Sequence, residues 1–297
     1  MTRWLVTGAA GQLGHDMTEL LVTEGAVCTA LNRTDLDIAN GPAVAAAVAA
    51  ARPDVVVNCA AWTAVDAAQA HEDEALAING EGAAHVAAAC AAVGATLVHV
   101  STDYVFDGHA AVPYAEDAPT EPRSAYGRTK LAGERAVLAA LPANAYLVRT
   151  AWLYGAHGKN FVHTMLRLAR NGISPGVVDD QRGQPTWTHD VARQIRGLVA
   201  AGAPAGIYHA TSSGETTWFG LAREIFGLYA ESAPSDEAAS LAPRPITTAE
   251  YPLPAPRPAY SVLAHDAWHK AGIEPIGDWR EALHRAFPAI LKAAPPQ

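Results

Sequence analysis

The sequence predicts an α/β protein built on a doubly wound parallel sheet, followed by a smaller, mixed α/β C-terminal part. Three observations carry that expectation. Apolar strand-like runs alternate with helical stretches through the first half, the pattern of a parallel sheet covered on both faces. The first run, Trp4 to Val6, leads directly into a glycine turn and then a helical stretch. After Thr150 the alternation fades, and glycines at 155, 158, 172, 176 and 183 separate shorter elements.

In chain order, the turn Thr7-Gly8-Ala9-Ala10-Gly11-Gln12-Leu13-Gly14 precedes a helix expected from Met17 to Glu24. Glycines there bring the backbone close to a pyrophosphate, and free amides at the helix N-terminus meet its charge. The spacing is G-x-x-G-x-x-G, which also suits a plain tight turn; its place after the first strand favours a cofactor cradle of Gly8, Ala10, Gly11, Gln12, Leu13 and Gly14. The second strand, Ala26 to Leu31, ends at Asn32-Arg33, where a dinucleotide fold places its adenosine-ribose contact. An arginine there pairs with a 2′-phosphate, so NADPH is expected, with NADH possible. Asp35 and Asp37 stand close by, and a solvated loop arginine is the alternative. Asp37 and Ile38 belong to the same expected cofactor edge.

A helix from Pro42 to Ala51 and a buried strand from Asp54 to Ala61 follow, then a long helical region from His71 to Val93. Ligands of such sheets lie beyond the carboxyl ends of the strands. That rule points to the glycine turn, to the segment Ala60 to Thr63, and to Ser101 to Tyr104, after the strand Thr96 to Val100. Cys59, Ala60, Ala61 and Thr63 are therefore expected beside the cofactor. Asn79, inside the long helix, either bonds to backbone near the cofactor or sits on an exposed face.

Tyr126 and Lys130 stand four residues apart on one helix face. A nearby ammonium favours the phenolate, so the pair is expected to lower the tyrosine pKa from about 10 and make a proton donor. The Thr102 hydroxyl supplies a second contact to a substrate oxygen. That helix runs to about Leu141, Pro142 stops it, and Ala145 to Thr150 is the next strand. The cofactor half is expected over 1–150, with about 187–212 returning to it through a helix, Val191 to Ala200, and a strand, Gly206 to Ala210. Residues 151–186 and 213–297, with an amphipathic helix from Phe161 to Arg170, are the expected substrate part. Ser232 to Ser240 reads as an exposed linker and Pro252 to Pro258 as extended loop.

Half of the 297 residues are hydrophobic, enough for a sizeable core. A formal net charge of −9 argues against a nucleic-acid partner, which calls for a basic face. Cys28, Cys59 and Cys90 are few and widely spaced, as buried thiols in a reducing compartment are. The start of the chain lacks the apolar core of a signal peptide, and no run approaches the ~20 apolar residues of a membrane span, so a cytoplasmic protein without a membrane partner is expected.

Tyr126-x-x-x-Lys130 together with Thr7-Gly-x-x-Gly-x-x-Gly resembles the short-chain dehydrogenase/reductase superfamily, in its extended nucleotide-sugar branch. Further segments narrow the resemblance: Asn58-Cys-Ala-Ala-Trp-Thr-Ala-Val-Asp66, Ser101-Thr-Asp-Tyr-Val-Phe-Asp-Gly108, Arg149-Thr-Ala-Trp-Leu-Tyr-Gly155, Asn160-Phe-Val, Asp179-Asp-Gln-Arg-Gly-Gln-Pro-Thr186 and Arg257-Pro258. In this order, from about Arg3 to Ser261, they are similar to the dTDP-4-dehydrorhamnose reductase family. The resemblance implies a Rossmann-type fold and reduction of the C4 ketone of a dTDP-linked 6-deoxy-4-ketohexose by NADPH or NADH. It makes Tyr126 the general acid, Lys130 the ribose contact and Thr102 the ketone contact. It offers Thr63, Asp103, Tyr104, Trp152, Asn160 and Arg257 as substrate contacts, Arg257 for phosphate because a guanidinium binds it bidentately. Some members bind magnesium through glutamates at a dimer interface; one of those positions is here His15, so no metal is carried over. A monomer or homodimer is expected.

Two other readings remain. One is another extended reductase, epimerase or dehydratase, although a dehydratase needs an Asp-Glu pair after the threonine and this chain has Asp103-Tyr104. The other is a non-catalytic regulatory subunit like that of methionine adenosyltransferase, which the intact Thr102, Tyr126 and Lys130 disfavour.

Overall fold

In the computed structural model, which describes residues 2–233 and 240–293, the first half builds five strands of a six-stranded sheet. Strand β1 (Arg3–Thr7) leads into helix α1 (Gln12–Thr23), and β2 (Val27–Leu31), α2 (Gly41–Ala51) and β3 (Val55–Asn58) follow. After α3 (Val65–Ala70) a long helical run comprises α4 (Glu72–Leu76), a π-turn over Ala77–Gly82 and α5 (Ala83–Val93). Then come β4 (Thr96–Thr102), α6 (Ala125–Ala140) and β5 (Ala145–Thr150).

The second half adds short strands β6 (Leu153–Tyr154), β7 (Gly176–Val178), β8 (Arg182–Gly183) and β9 (Thr186–Trp187), with α7 (Phe161–Arg170) among them. Helix α8 (Thr188–Ala200) and β10 (Gly206–His209) return to the large sheet, whose order is β10-β5-β4-β3-β1-β2, all pairs parallel. Beyond them lie β11 (Thr216–Thr217), α9 (Trp218–Ser232), β12 (Arg244–Ile246) and two helices, Asp266–Lys270 and Trp279–Ala293.

The central strands are buried on both faces, which is why they read as unbroken apolar runs. On one face α1 and α8 pack with Leu13, Met17, Val191 and Ile195. On the other, α2, α5 and α6 contribute Val44, Val86 and Val137. A third core, in which Leu166, Leu221, Ile225 and Leu283 meet, holds α7, α9 and the helix Trp279–Ala293 together.

Several expectations change in detail. The first helix begins at Gln12 and not at Met17, because the glycine turn forms its first turn. Gly8 has φ +67°, and a Cβ there would stand 2.6 Å from the Ala60 nitrogen, so the turn closes tightly on the end of β3. The run Glu72–Val93 is the one helix among the described residues long and apolar enough to span a membrane, with 22 residues and a mean hydropathy of 1.3. Here it packs against α2 and α6 beside the sheet. Ser232 ends α9; residues 234–239 of the expected linker lie outside the described residues. All three cysteines are free thiols.

One buried ion pair ties the sheet to α6. Arg149 on β5 donates to both carboxylate oxygens of Glu134 at 2.9 and 2.7 Å, and both side chains are almost fully buried. Its remaining donors reach the Glu116 carbonyl at 3.1 Å, and its plane covers the Phe106 ring.

Candidate active site

A cavity of about 870 Å³ lies over the carboxyl ends of β1, β3 and β4, where the strand-end rule placed it. The glycine turn forms one end, with Gly8, Ala10, Gly11, Gln12, Leu13 and Gly14 all on its wall. Gly11 stands at the N-cap of helix α1 and offers no side-chain cap, so the first amides of the helix are left for an anionic ligand. Arg33, Asp37 and Ile38 line the next edge, and the Arg33 guanidinium makes no ion pair among the described residues. Cys59, Ala60, Ala61 and Thr63 form the floor. This wall fits a dinucleotide: a glycine cradle at a helix N-terminus, an elongated cleft, and a cation at the adenosine end.

The far end gathers Thr102, Tyr126 and Lys130. Ser124 caps α6 by accepting from the Gly127 amide at 3.1 Å, which sets the first turn of that helix. A Cβ at Gly127 would stand 2.2 Å from the Tyr104 carbonyl, so only glycine lets α6 approach the 3₁₀ turn Asp103–Val105 this closely. That approach brings the Tyr126 phenol to the cavity wall beside the Thr102 hydroxyl at the end of β4. Tyr104 meets Tyr126 edge-on, ring centres 5.5 Å apart. One turn on, the Lys130 ammonium donates to the Val100 carbonyl at 2.7 Å.

The electrostatics correct one expectation. Burial pushes the Tyr126 phenol up to about 12, with the Thr102 hydroxyl acting against it, and Lys130 is not among the groups that act on it. Burial also brings Lys130 down to about 8, against the pull of Glu134 and Cys59. The ammonium faces Val100, so in the free protein it does not acidify the phenol.

Thr63, Asp103, Tyr104 and Trp152 also line the cavity, as expected. Four predicted site residues do not. Asn32 turns its side-chain oxygen to Thr34. Asn79 is buried in the π-turn; it accepts from the Trp62 amide at 2.8 Å and donates to Thr129 at 3.1 Å, so it supports the cavity wall through Trp62 and is not exposed. Asn160 caps α7 and donates to Gln12 at 3.1 Å, which commits its amide to holding the two halves together. Arg257 gives its fork to Asp66 at 2.9 and 2.7 Å and does not line the cavity.

Sequence reasoning missed Trp62, Val65 and Trp218 on the wall. Trp62 lies in the strand-end segment that the rule had already marked. Trp218 had no such signal: it starts α9 and stacks on Trp152 at 3.6 Å with planes 8° apart, while Trp152 itself takes a left-handed φ of +46°. Around His15 the fold gathers Asp16, Glu19 and His157, with potential ligand atoms within 4.8 Å of one another. No spacing announced this group, because His157 arrives from the second half of the chain.

The family model described as "RmlD substrate binding domain" matches residues 2–291. A dTDP-4-dehydrorhamnose reductase of Streptomyces griseus is 55% identical over 296 residues, covering 98% of this chain and 95% of that protein. A dTDP-4-keto-6-deoxy-D-glucose reductase of Streptomyces niveus is 50% identical, covering 97% of each. The crystal structure of dTDP-4-dehydrorhamnose reductase from Bacillus anthracis in complex with NADP is 37% identical, with a TM-score of 0.90 over 97% of this chain and 99% of that one. With the glycine cradle and the Thr102, Tyr126 and Lys130 group on one cavity wall, the chain belongs to the dTDP-4-dehydrorhamnose reductase family.

Proposed function

We propose that this protein reduces dTDP-4-dehydro-β-L-rhamnose to dTDP-L-rhamnose with NADPH, NADH being a possible substitute. The observation that carries the reading is the meeting of Thr102, Tyr126 and Lys130 at one end of a cleft whose other end is the glycine cradle. When bound, the reduced nicotinamide supplies a hydride to C4 of the sugar. Tyr126, held protonated by burial, gives its phenolic proton to the oxygen on which negative charge develops, and Thr102 donates a second hydrogen bond there. Donors placed where charge builds stabilise the transition state more than the ketone. Lys130 holds the nicotinamide ribose, and Thr63, Asp103, Tyr104 and Trp152 face the sugar nucleotide.

Residues 1–150 with 187–212 form the cofactor part in this reading, and 151–186 with 213–297 the substrate part. The protein acts in the cytoplasm as a monomer or homodimer. The 50% identity to a dTDP-4-keto-6-deoxy-D-glucose reductase favours a second substrate reading, the same C4 reduction on another hexose stereoisomer. Both are tested by following loss of NADPH absorbance with each dTDP-keto sugar, the rhamnose precursor being made in situ from dTDP-glucose by the preceding enzymes. Turnover faster with the rhamnose precursor is expected. No oxidation of NADPH with either sugar, alongside tight binding to a partner protein, would sink the enzyme reading.

The coenzyme preference rests on Arg33, at the adenosine edge. Arg33→Ala is expected to lower kcat/KM for NADPH by roughly tenfold, the worth of about 1.4 kcal/mol from a charge-assisted contact, and to leave NADH little changed. An equal loss with both coenzymes removes the phosphate assignment.

A further inference from the structure

The hydrogen bonds around Thr102 leave its hydroxyl no freedom. A hydroxyl offers one hydrogen and two lone pairs. The Thr102 hydrogen goes to Asp103 Oδ1 at 2.9 Å. Its oxygen accepts from the Tyr104 amide at 3.2 Å. In this arrangement the Thr102 donor is spent on Asp103 and is not aimed at a substrate ketone.

Asp103 is itself an unusual carboxylate. It is 3% exposed, and its Oδ2 is buried without a hydrogen-bond partner of normal geometry. No cation is paired with it among the described residues. The groups that face it are the Tyr104 and Tyr126 phenols and the Ser261 hydroxyl; Lys130 on α6 turns to Val100, and Arg257 beyond Tyr104 is held by Asp66. A buried, half-satisfied carboxylate favours its neutral form.

We propose that Asp103 is a positioning residue that decides whether the Thr102 hydroxyl can serve the substrate: ionised, it takes the Thr102 hydrogen, and protonated, it returns a hydrogen bond to Thr102 and frees that donor. The bookkeeping is simple. A protonated Asp103 donates to Thr102 Oγ, which still accepts from the Tyr104 amide. Both lone pairs are then filled, and the Thr102 hydrogen is free to turn toward the ketone oxygen. Burial, ahead of the opposing Ser261 and Thr102 hydroxyls, pushes Asp103 up to about 6, which puts the switch within reach of ordinary pH.

This inference rests on the ketone-reduction reading. Its test is the pH dependence of kcat and kcat/KM for NADPH oxidation with the keto sugar, from about pH 5 to 8. The active form is the protonated one, so the wild type is expected to lose activity as pH rises through the Asp103 pKa, approaching tenfold per pH unit above it. In Asp103→Asn the amide stays neutral throughout and keeps a donor for Thr102. That variant is expected to retain measurable turnover without this fall, with NADPH affinity unchanged. Ser261→Ala, which removes a hydroxyl that favours the carboxylate, is expected to shift the fall to higher pH. A wild type that turns over with a flat profile overturns the proposal, as does the same fall in Asp103→Asn or an unmoved one in Ser261→Ala. A wild type that oxidises no NADPH at any pH overturns the reduction reading instead.

Discussion

Tyr126→Phe is expected to lose turnover by about 10²–10⁴-fold while binding NADPH as tightly as the wild type. Only the transferable proton is removed. The ring keeps its edge-on contact with Tyr104 and its buried place on α6, so the cavity should hold its shape. Coenzyme fluorescence titration measures the binding and the keto-sugar assay measures the turnover. Unchanged turnover in the variant would show the acid assignment to be wrong. A loss of coenzyme binding equal to the loss of rate would instead place Tyr126 mainly in the cofactor wall. The burial that raises the phenol to about 12 favours this role, because an acid must still carry its proton when the substrate arrives.

Glu134→Ala is expected to destabilise the fold by about 3–5 kcal/mol, seen as a fall in Tm of roughly 10 °C. The substitution leaves the Arg149 guanidinium buried without its carboxylate, and an uncompensated buried charge costs more than the pair contributes. The effect reaches the site. Glu134 lies one turn beyond Lys130 on α6, so the ion pair to β5 helps hold the helix that carries both Tyr126 and Lys130. Thermal unfolding with and without NADPH checks this, and a Tm within a degree or so of wild type would mean that Arg149 finds compensation elsewhere.

Much of the architecture was legible because its signals are local. The strand Ala145–Thr150 and the helix Phe161–Arg170 appear with the bounds their patterns predict, the one a short apolar run and the other an amphipathic repeat closed by Asn160 at its start. The glycine turn and the Tyr126-Lys130 spacing depend on neighbours a few residues away, so they too could be read directly. Less legible are polar side chains whose partners come from far along the chain. Arg257 pairs with Asp66, 191 positions away. Asn160 turns its amide to Gln12 across 148 residues.

The sequence by itself determined the parallel sheet, the glycine turn and the shared helix face of Tyr126 and Lys130, because periodicity, turn chemistry and helix spacing act over one or two turns of backbone. The tertiary structure alone decided which polar groups are spent on one another: Lys130 on Val100, Arg257 on Asp66, and the Thr102 hydroxyl on Asp103. It also decided that burial, and not the neighbouring ammonium, governs the Tyr126 phenol. Desolvation and hydrogen-bond direction depend on everything that packs around a group, and that environment exists only once distant segments have met.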